Sequence, residues 1–233
     1  MPEEGSISIE QFLLTRLSKS DFKKWVENSS APYKELMAYY RCAIMEIETK
    51  FKVLNEELSI QYDRNPIETI KSRLKTPESI FDKIARKGCP LTVESIEENI
   101  TDIAGVRVIC SFPSDIYMLA DAFEKQDDRH VITRKDYISN PKPNGYRSLH
   151  LIVDTPIFLH DRKRYMKVEV QFRTIAMDWW ASTEHKIRYK KDILESESFK
   201  HELADCARIA AELDQRMEQL HTITKQSQGE KRT

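Results

Sequence analysis

The 233-residue sequence predicts an α+β fold, a five-stranded mixed β-sheet flanked by helices, with further helices at both ends. Three observations predict it. Strand-like segments at about 67–75, 103–112, 131–137, 146–154 and 164–173 are interspersed with helical ones rather than gathered in one half. The run Lys167-Val168-Glu169-Val170-Gln171-Phe172-Arg173 alternates polar and apolar residues, and a strand sends alternate side chains to opposite faces. Leu36, Tyr40, Ile44, Ile47, Phe51, Leu54 and Leu58 recur at gaps of three and four, one continuous stripe on a long helix.

Taken in order, residues 8–27, with Phe12, Leu13, Leu17, Phe22, Trp25 and Val26, read as one or two short helices broken by Asn28-Ser29-Ser30. The long helix starts at Pro32 and stops at Asn65-Pro66, because proline restricts the residue before it. Residues 67–75 read as a strand with Arg73 and Lys75 on one face. Thr76-Pro77 then caps and opens a helix that Gly88 closes. On it Ser79, Lys83 and Arg86 form a polar face, and Ile80, Phe81 and Ile84 the apolar one. Residues 102–112 are the most apolar run and read as a central strand. Arg107 lies within it and needs a partner. Asp102 and Arg107 fall on opposite faces of an ideal strand, unless a bulge at Gly105 or a strand start after Asp102 intervenes. A helix over 114–126 and a strand carrying Arg134 and Lys135 follow. Asn144-Gly145 is a turn signal before the fourth strand. Thr174 opens a helix over 175–190. The last helix carries Phe199, Leu203, Cys206, Leu213, Met217 and Leu220 on its packing face, and the polar tail after Thr224 is expected to fray. The chain is read as one domain, with N-terminal helices over 1–66, a core over 67–191 and a C-terminal helix over 192–226.

Composition excludes several classes. A net charge of −1 with 32% charged residues argues against a protein that coats nucleic acid, while leaving room for local basic patches; no DNA partner is expected, and RNA binding stays open. Cys42, Cys89, Cys110 and Cys206 are scattered singly, as reduced thiols are in the cytosol. The N-terminus lacks the features of a signal peptide, and no apolar run approaches the ~18 residues of a membrane span. A soluble cytoplasmic protein with no membrane partner is expected. GxxxxGK[ST], GxGxxG and HExxH are absent, and Ser148, His150 and Asp154 lack a nucleophile elbow. Two pieces of residues 141–190 carry most of the chemistry. In 142–150 a turn flanked by cations leads to an aromatic ring at Tyr146. In 167–173 a carboxylate, an amide and a guanidinium share one strand face. Lys71, Arg73 and Lys75 add a local concentration of cations of the kind phosphate binding needs.

Five ordered blocks, Ser72-Arg73-Leu74-Lys75, Asp102-Ile103-Ala104-Gly105-Val106-Arg107, residues 144–150, residues 169–174 and Glu184-His185-Lys186, resemble the synthetase domain of the RelA/SpoT family. The resemblance covers about residues 33–220 and is strongest to the small, single-domain alarmone synthetases of Gram-positive bacteria. It implies a nucleotidyltransferase-like core. It also implies transfer of the β,γ-pyrophosphate of ATP to the 3′-hydroxyl of GDP or GTP, giving AMP and ppGpp or pppGpp, with synthesis and no degradation. On the matching positions, Arg73 and Arg107 would stack on adenine, while Lys75, Ser79, Lys83 and Arg86 would hold the ATP phosphates. Tyr146 would stack on guanine, with Lys135, Lys142, Asn144 and His150 addressing the acceptor. Glu169 would take the proton of the 3′-hydroxyl, and Gln171 and Arg173 would organise its strand face. Asp102 and Glu169 suit Mg²⁺, which binds one or two carboxylates together with substrate phosphates. Asp178 stands where related small synthetases can carry asparagine, which leaves its role open. The resemblance further implies a homotetramer, and the apolar faces at 36–58 and 199–220 give a physical hint of an oligomer. The alternatives are a nucleotidyltransferase that releases pyrophosphate, and a non-catalytic binder of nucleotides or single-stranded RNA using Tyr146 and the cations.

Overall fold

The computed structural model describes residues 23, 24, 27, 30–188 and 197–229. The short helices expected over 8–27 lie outside this set except at Lys23, Lys24 and Glu27, which are helical. The elements run α1 (Ser30–Tyr62), β1 (Ile67–Leu74), α2 (Pro77–Lys87), α3 (Val93–Asn99), β2 (Ala104–Cys110), α4 (Pro113–Glu124), β3 (His130–Asp136), β4 (Leu149–Phe158), β5 (Lys163–Thr174), α5 (Ile175–Arg188) and α6 (Glu197–Gly229). The five strands form one sheet in the order β1-β2-β5-β4-β3. Only the β2–β5 pair is parallel, so the sheet is mixed as expected.

One face of the sheet is dry. Val106, Val108, Leu149, Leu151, Val153, Val168, Val170 and Phe172 are each 0–1% exposed. The whole α1 stripe, from Leu36 to Leu58, is buried against this face. Phe51 of α1 stacks on Phe123 of α4, 4.6 Å between centroids, and meets Phe172 of β5 edge-on at 5.4 Å. Offset and edge-on rings add about 0.5–1.5 kcal/mol each to the burial itself. The apolar face at 36–58 is therefore consumed within the chain and offers nothing to a second subunit.

Local signals set the boundaries. The Thr76 side chain accepts from Ser79 N at 3.3 Å, Pro77 occupies the first turn, and Gly88 takes the left-handed conformation at φ 65°. β2 begins at Ala104, after Asp102, and its pairing with β1 runs without a shift past Gly105. A later strand start, not a bulge, thus resolves the Asp102–Arg107 spacing. Helix α3 was not expected from the sequence, since seven residues are too few to show a period; Thr92 caps it, accepting from Ser95 N at 3.1 Å. β4 starts at Leu149, three residues later than expected, because Gly145 N to Lys142 O (2.8 Å) and Lys142 N to Tyr146 O (3.1 Å) close a turn first. It then runs on through Pro156. Beyond Asp154 it pairs only with β5, so the missing N–H deprives no second neighbour.

Helix α6 corrects the expected packing face. Leu213, Met217 and Leu220 are more than half exposed, whereas Ala207, Ala210 and Asp214 are buried. The cause is a close approach. Gly145 has φ +86°, and a Cβ there would lie 2.4 Å from the Cβ of Ala207. Leu203 packs on the inner side as expected, against Trp180 and Ala207, but opposite Gly145 only a small residue fits, and Leu213, Met217 and Leu220 are left outside. The inner stripe continues in polar form. Asp214 accepts from Thr174 Oγ1 at 2.6 Å, Glu218 accepts from Ser114 N at 2.8 Å, and His221 stacks on Phe112 at 4.4 Å. The helix also continues to Gly229 rather than fraying after Thr224, as no breaker intervenes.

Two outcomes are expected. Burial, with repulsion from Glu218, raises the Asp214 carboxyl to about 6, against the opposing pull of the Thr174 hydroxyl and Arg147. A folded-state value above the unfolded one means that stability is lost as pH rises between about 4 and 6. Asp214→Asn keeps an acceptor for Thr174 and should stabilise the fold at pH 8 by on the order of 2–3 kcal/mol, with no gain near pH 4. Denaturant melts at the two pH values check the sign. Gly145→Ala should destabilise by about 1–3 kcal/mol, since it adds left-handed strain and an overpacked contact; a melt unchanged from the parent would contradict the close approach to α6.

Candidate active site

The second face of the sheet is polar. The register places Lys71 opposite Arg107, Arg107 opposite Gln171, Gln171 opposite His150 and His150 opposite Lys135, one row across all five strands. The next row reads Arg73, Gly105, Glu169, Ile152 and Thr133. Period-two alternation thus brings residues from 71 to 173 onto one surface. Gly105 leaves room for its neighbour. A Cβ there would sit 3.6 Å from Cγ of Arg73, whose side chain lies across the glycine.

Two adjoining cavities open on this surface. One of about 190 Å³ is lined by Lys71, Ser72, Arg73, Gly105, Val106, Arg107 and Gln171. The other, of about 420 Å³, shares Arg73, Arg107 and Gln171 and adds Tyr146, Arg173 and a wall from α5 that includes Ser182, Glu184, His185 and Lys186. The two arginines expected around adenine therefore border both spaces.

The carboxylates are set differently. Asp102, just before β2, receives Lys75 Nζ at 2.9 Å and Lys83 Nζ at 2.8 Å. Burial pushes its carboxyl up, but the Lys83 and Lys75 hydrogen bonds and charges outweigh it and hold the group below its ordinary value. Glu169 belongs to a closed ring of side chains. Gln171 Nε2 donates to Glu169 Oε2 at 2.7 Å, and Arg173 donates to Gln171 Oε1 at 3.2 Å and to the Tyr146 hydroxyl at 2.8 Å. That hydroxyl lies 2.8 Å from His150 Nε2, and His150 Nδ1 lies 3.5 Å from Glu169 Oε1. An ionised carboxylate can only accept, so the His150 hydrogen bond to Glu169 places a proton on Nδ1, while Nε2 faces the tyrosine hydroxyl. Burial raises the Glu169 carboxyl, yet His150 and Gln171 overcome it and the group ends below its ordinary value. Both carboxylates are ionised at neutral pH.

A third carboxylate is the main residue that sequence reasoning left without a role. Asp178, in the first turn of α5, accepts from Arg107 at 2.9 Å and Arg173 at 3.1 Å on Oδ1, and from Lys71 at 3.0 Å on Oδ2. It supplies the partner that Arg107 needs. Tyr137 was also missed. It follows β3, continues the pairing through its N–H to Ser148 O (3.0 Å), and packs edge-on against Tyr146 and His150. Lys142 Nζ stands over both tyrosines, 4.6 and 4.8 Å from their centroids. The turn signal at 144–145 is itself structural: Asn144 accepts from Tyr146 N at 3.2 Å and reaches Glu184 at 3.5 Å. Lys135 and Arg86 are exposed at the margins, and Ser79 bonds back to Thr76. Arg134, on the opposite face, is taken by Asp121 and Glu124 of α4.

Among the described residues no cluster of three or more His, Cys, Asp or Glu side chains could hold a metal by itself. Asp102 and Glu169 lie close enough to interact electrostatically, and two ionised carboxylates are a donor set for a hard cation that shares its ligands with substrate oxygens.

Comparison with known proteins agrees with this geometry. Residues 72–193 match the family described as the region found in RelA / SpoT proteins. The GTP pyrophosphokinase YwaC of Bacillus subtilis is 47% identical over 185 residues, 79% of this chain and 88% of that protein. The crystal structure of small alarmone synthetase 2 from B. subtilis superposes with a TM-score of 0.73 at 46% identity, covering 82% of this chain and 97% of that one. Small alarmone synthetase 1 of the same organism, bound to its product pppGpp, gives 0.74 at 34% identity, covering 82% and 96%. This chain belongs to the RelA/SpoT family.

Proposed function

We propose that the chain is a (p)ppGpp synthetase, a GTP pyrophosphokinase that moves the β,γ-pyrophosphate of ATP to the 3′-oxygen of GDP or GTP. The observation that carries the reading is the position of Glu169. It stands in the sheet row between Gly105, under the Arg73 side chain, and β4, and is tied by hydrogen bonds to the tyrosine loop. A relative of 34% identity binds pppGpp, the product this reaction yields from GTP.

In this reading the Arg73 and Arg107 planes hold adenine, a contact that suits a flat, weakly hydrated guanidinium. Lys75, Lys83, Ser79 and Arg86 lie along the triphosphate. Tyr146 stacks on guanine, with Lys142, Lys135, Asn144 and His150 around the acceptor. Glu169, ionised and aimed by His150 and Gln171, takes the proton of the 3′-hydroxyl. The oxygen then forms its bond to the β-phosphorus while the bond from that phosphorus to the α-phosphate oxygen breaks, and AMP leaves. The cofactor is Mg²⁺, with Asp102 and Glu169 as its protein ligands; when bound it neutralises charge on the transferring phosphates. Lys75 and Lys83, which pair with Asp102 in the free protein, are then available to the phosphates.

The catalytic core is assigned to residues 67–191, with helical flanks over 1–66 and 192–226, in a cytoplasmic protein. No described helix is long and apolar enough to cross a membrane. The assembly is a homotetramer. Its support is family resemblance and an apolar groove of about 630 Å³ between α5 and α6, where Trp179, Leu213 and Met217 are each more than half exposed. Light scattering that gives the monomer mass across micromolar concentrations would count against it.

With Mg²⁺, GTP and γ-labelled ATP, label should appear in a guanosine nucleotide phosphorylated at its 3′ position, with one AMP formed per turnover. Label confined to free pyrophosphate would point to nucleotidyl transfer instead. Glu169→Gln should lower turnover by at least about 10²–10⁴, the usual worth of general-base help, with calorimetric binding of both nucleotides retained. Tyr146→Ala should raise the acceptor KM by about ten- to a hundredfold, since stacking on a base is worth roughly 1–3 kcal/mol, and leave the ATP KM near its original value.

A further inference from the structure

Asp178 contacts neither nucleotide in the reading above, yet it binds cations from three strands at once. It is 7% exposed. Its Oδ1 accepts from Arg107 of β2 and Arg173 of β5, and its Oδ2 from Lys71 of β1. Two guanidiniums at one oxygen repel each other, and in a half-buried place water screens that repulsion weakly. Without the carboxylate the two arginines would separate. Among the described residues the Arg107 side chain has no other hydrogen bond, and its Nε is buried without a partner. Its plane therefore depends on Asp178. Arg173 also has an unpartnered buried Nε, and its remaining bonds lead to Gln171 and to the hydroxyl of Tyr146. One oxygen atom thus joins a side chain that lines both cavities to the ring that fixes the aromatic loop.

We infer that Asp178 is a positioning residue that couples the two nucleotide half-sites: it locks the donor-side Arg107 and the acceptor-side Arg173 into one rigid unit, so filling either half-site orders the other. The inference rests on the assignment of those arginines to ATP and to the acceptor. It needs no contact between Asp178 and substrate. On this inference the residue at 178 need only present an acceptor oxygen to the two guanidiniums. Asparagine would keep Oδ1 toward both guanidiniums while turning an amide N–H₂ toward Lys71, which loses its ion pair.

The test is calorimetric titration of GDP into the Mg²⁺-loaded protein, with and without saturating α,β-methylene ATP, whose α–β bridge cannot break. In the parent protein the analogue should tighten GDP binding by about fivefold or more, the usual lower range of coupling between sites. In Asp178→Ala the factor should fall to about one, with each nucleotide alone binding several-fold more weakly; in Asp178→Asn most of the coupling should remain. Coupling that persists in a folded alanine variant overturns the inference, as does a parent protein that binds both nucleotides independently. If the alanine variant does not fold, the asparagine variant decides, because a folded Asp178→Asn protein without coupling is equally incompatible. A parent protein that binds neither nucleotide would instead overturn the functional reading itself.

Discussion

The site depends on the obligation of strand β5 to serve two incompatible surroundings with alternate residues. Val168, Val170 and Phe172 must be dry, so Glu169, Gln171 and Arg173 are forced together on the other side. A carboxylate and a guanidinium held that close, with an amide between them, stay half-buried only if every lone pair and proton finds a partner. The hydrogen-bonded ring through His150 and Tyr146 meets most of that requirement and leaves the Nε of Arg173 buried without a partner. It also fixes which imidazole nitrogen faces Glu169. Register does the rest: a slip of one residue in β5 would turn the whole set into the core.

Concentrating cations on one sheet face of a near-neutral chain has a cost, and the structure shows how it is met. Asp102 takes Lys75 and Lys83, and Asp178 takes Lys71, Arg107 and Arg173. All three acidic groups of the face, Glu169 included, are held below their ordinary values, with lysine, arginine or histidine overcoming desolvation. The free protein therefore carries a balanced site rather than a bare positive patch. An anion arriving at these lysines and arginines has to exchange partners with carboxylates already in place.

Much of this was legible in the sequence, and for reasons that can be stated. The α1 stripe, the β5 alternation, the Thr76–Pro77 cap and Gly88 are local signals with one physical solution, and each appears as read. Pairing across strands is different. That Arg107 stands beside Gln171 and meets Asp178, 71 residues away, follows from strand order, which no local pattern encodes. Asp178 lacked a signal because a lone acid in a helical first turn is ordinary by helix-dipole logic alone. The packing face of α6 was misread for a related reason. Apolar bulk marks burial only when the neighbour leaves room for it, and here the neighbour is the backbone of Gly145.

That contact bears on how freely the protein can change. Helix α6 tolerates substitution in two unlike ways along its length. Position 207, pressed on the turn that carries Tyr146, is closed to anything larger than alanine, whatever its polarity. Positions 209, 213 and 217, on the outward side, admit almost any side chain as far as the single subunit is concerned. Substitution on this helix should therefore be tolerated on the outward side and restricted by volume where the helix meets the turn that carries Tyr146. The outward surface of the helix can change without moving the turn that its inner side holds.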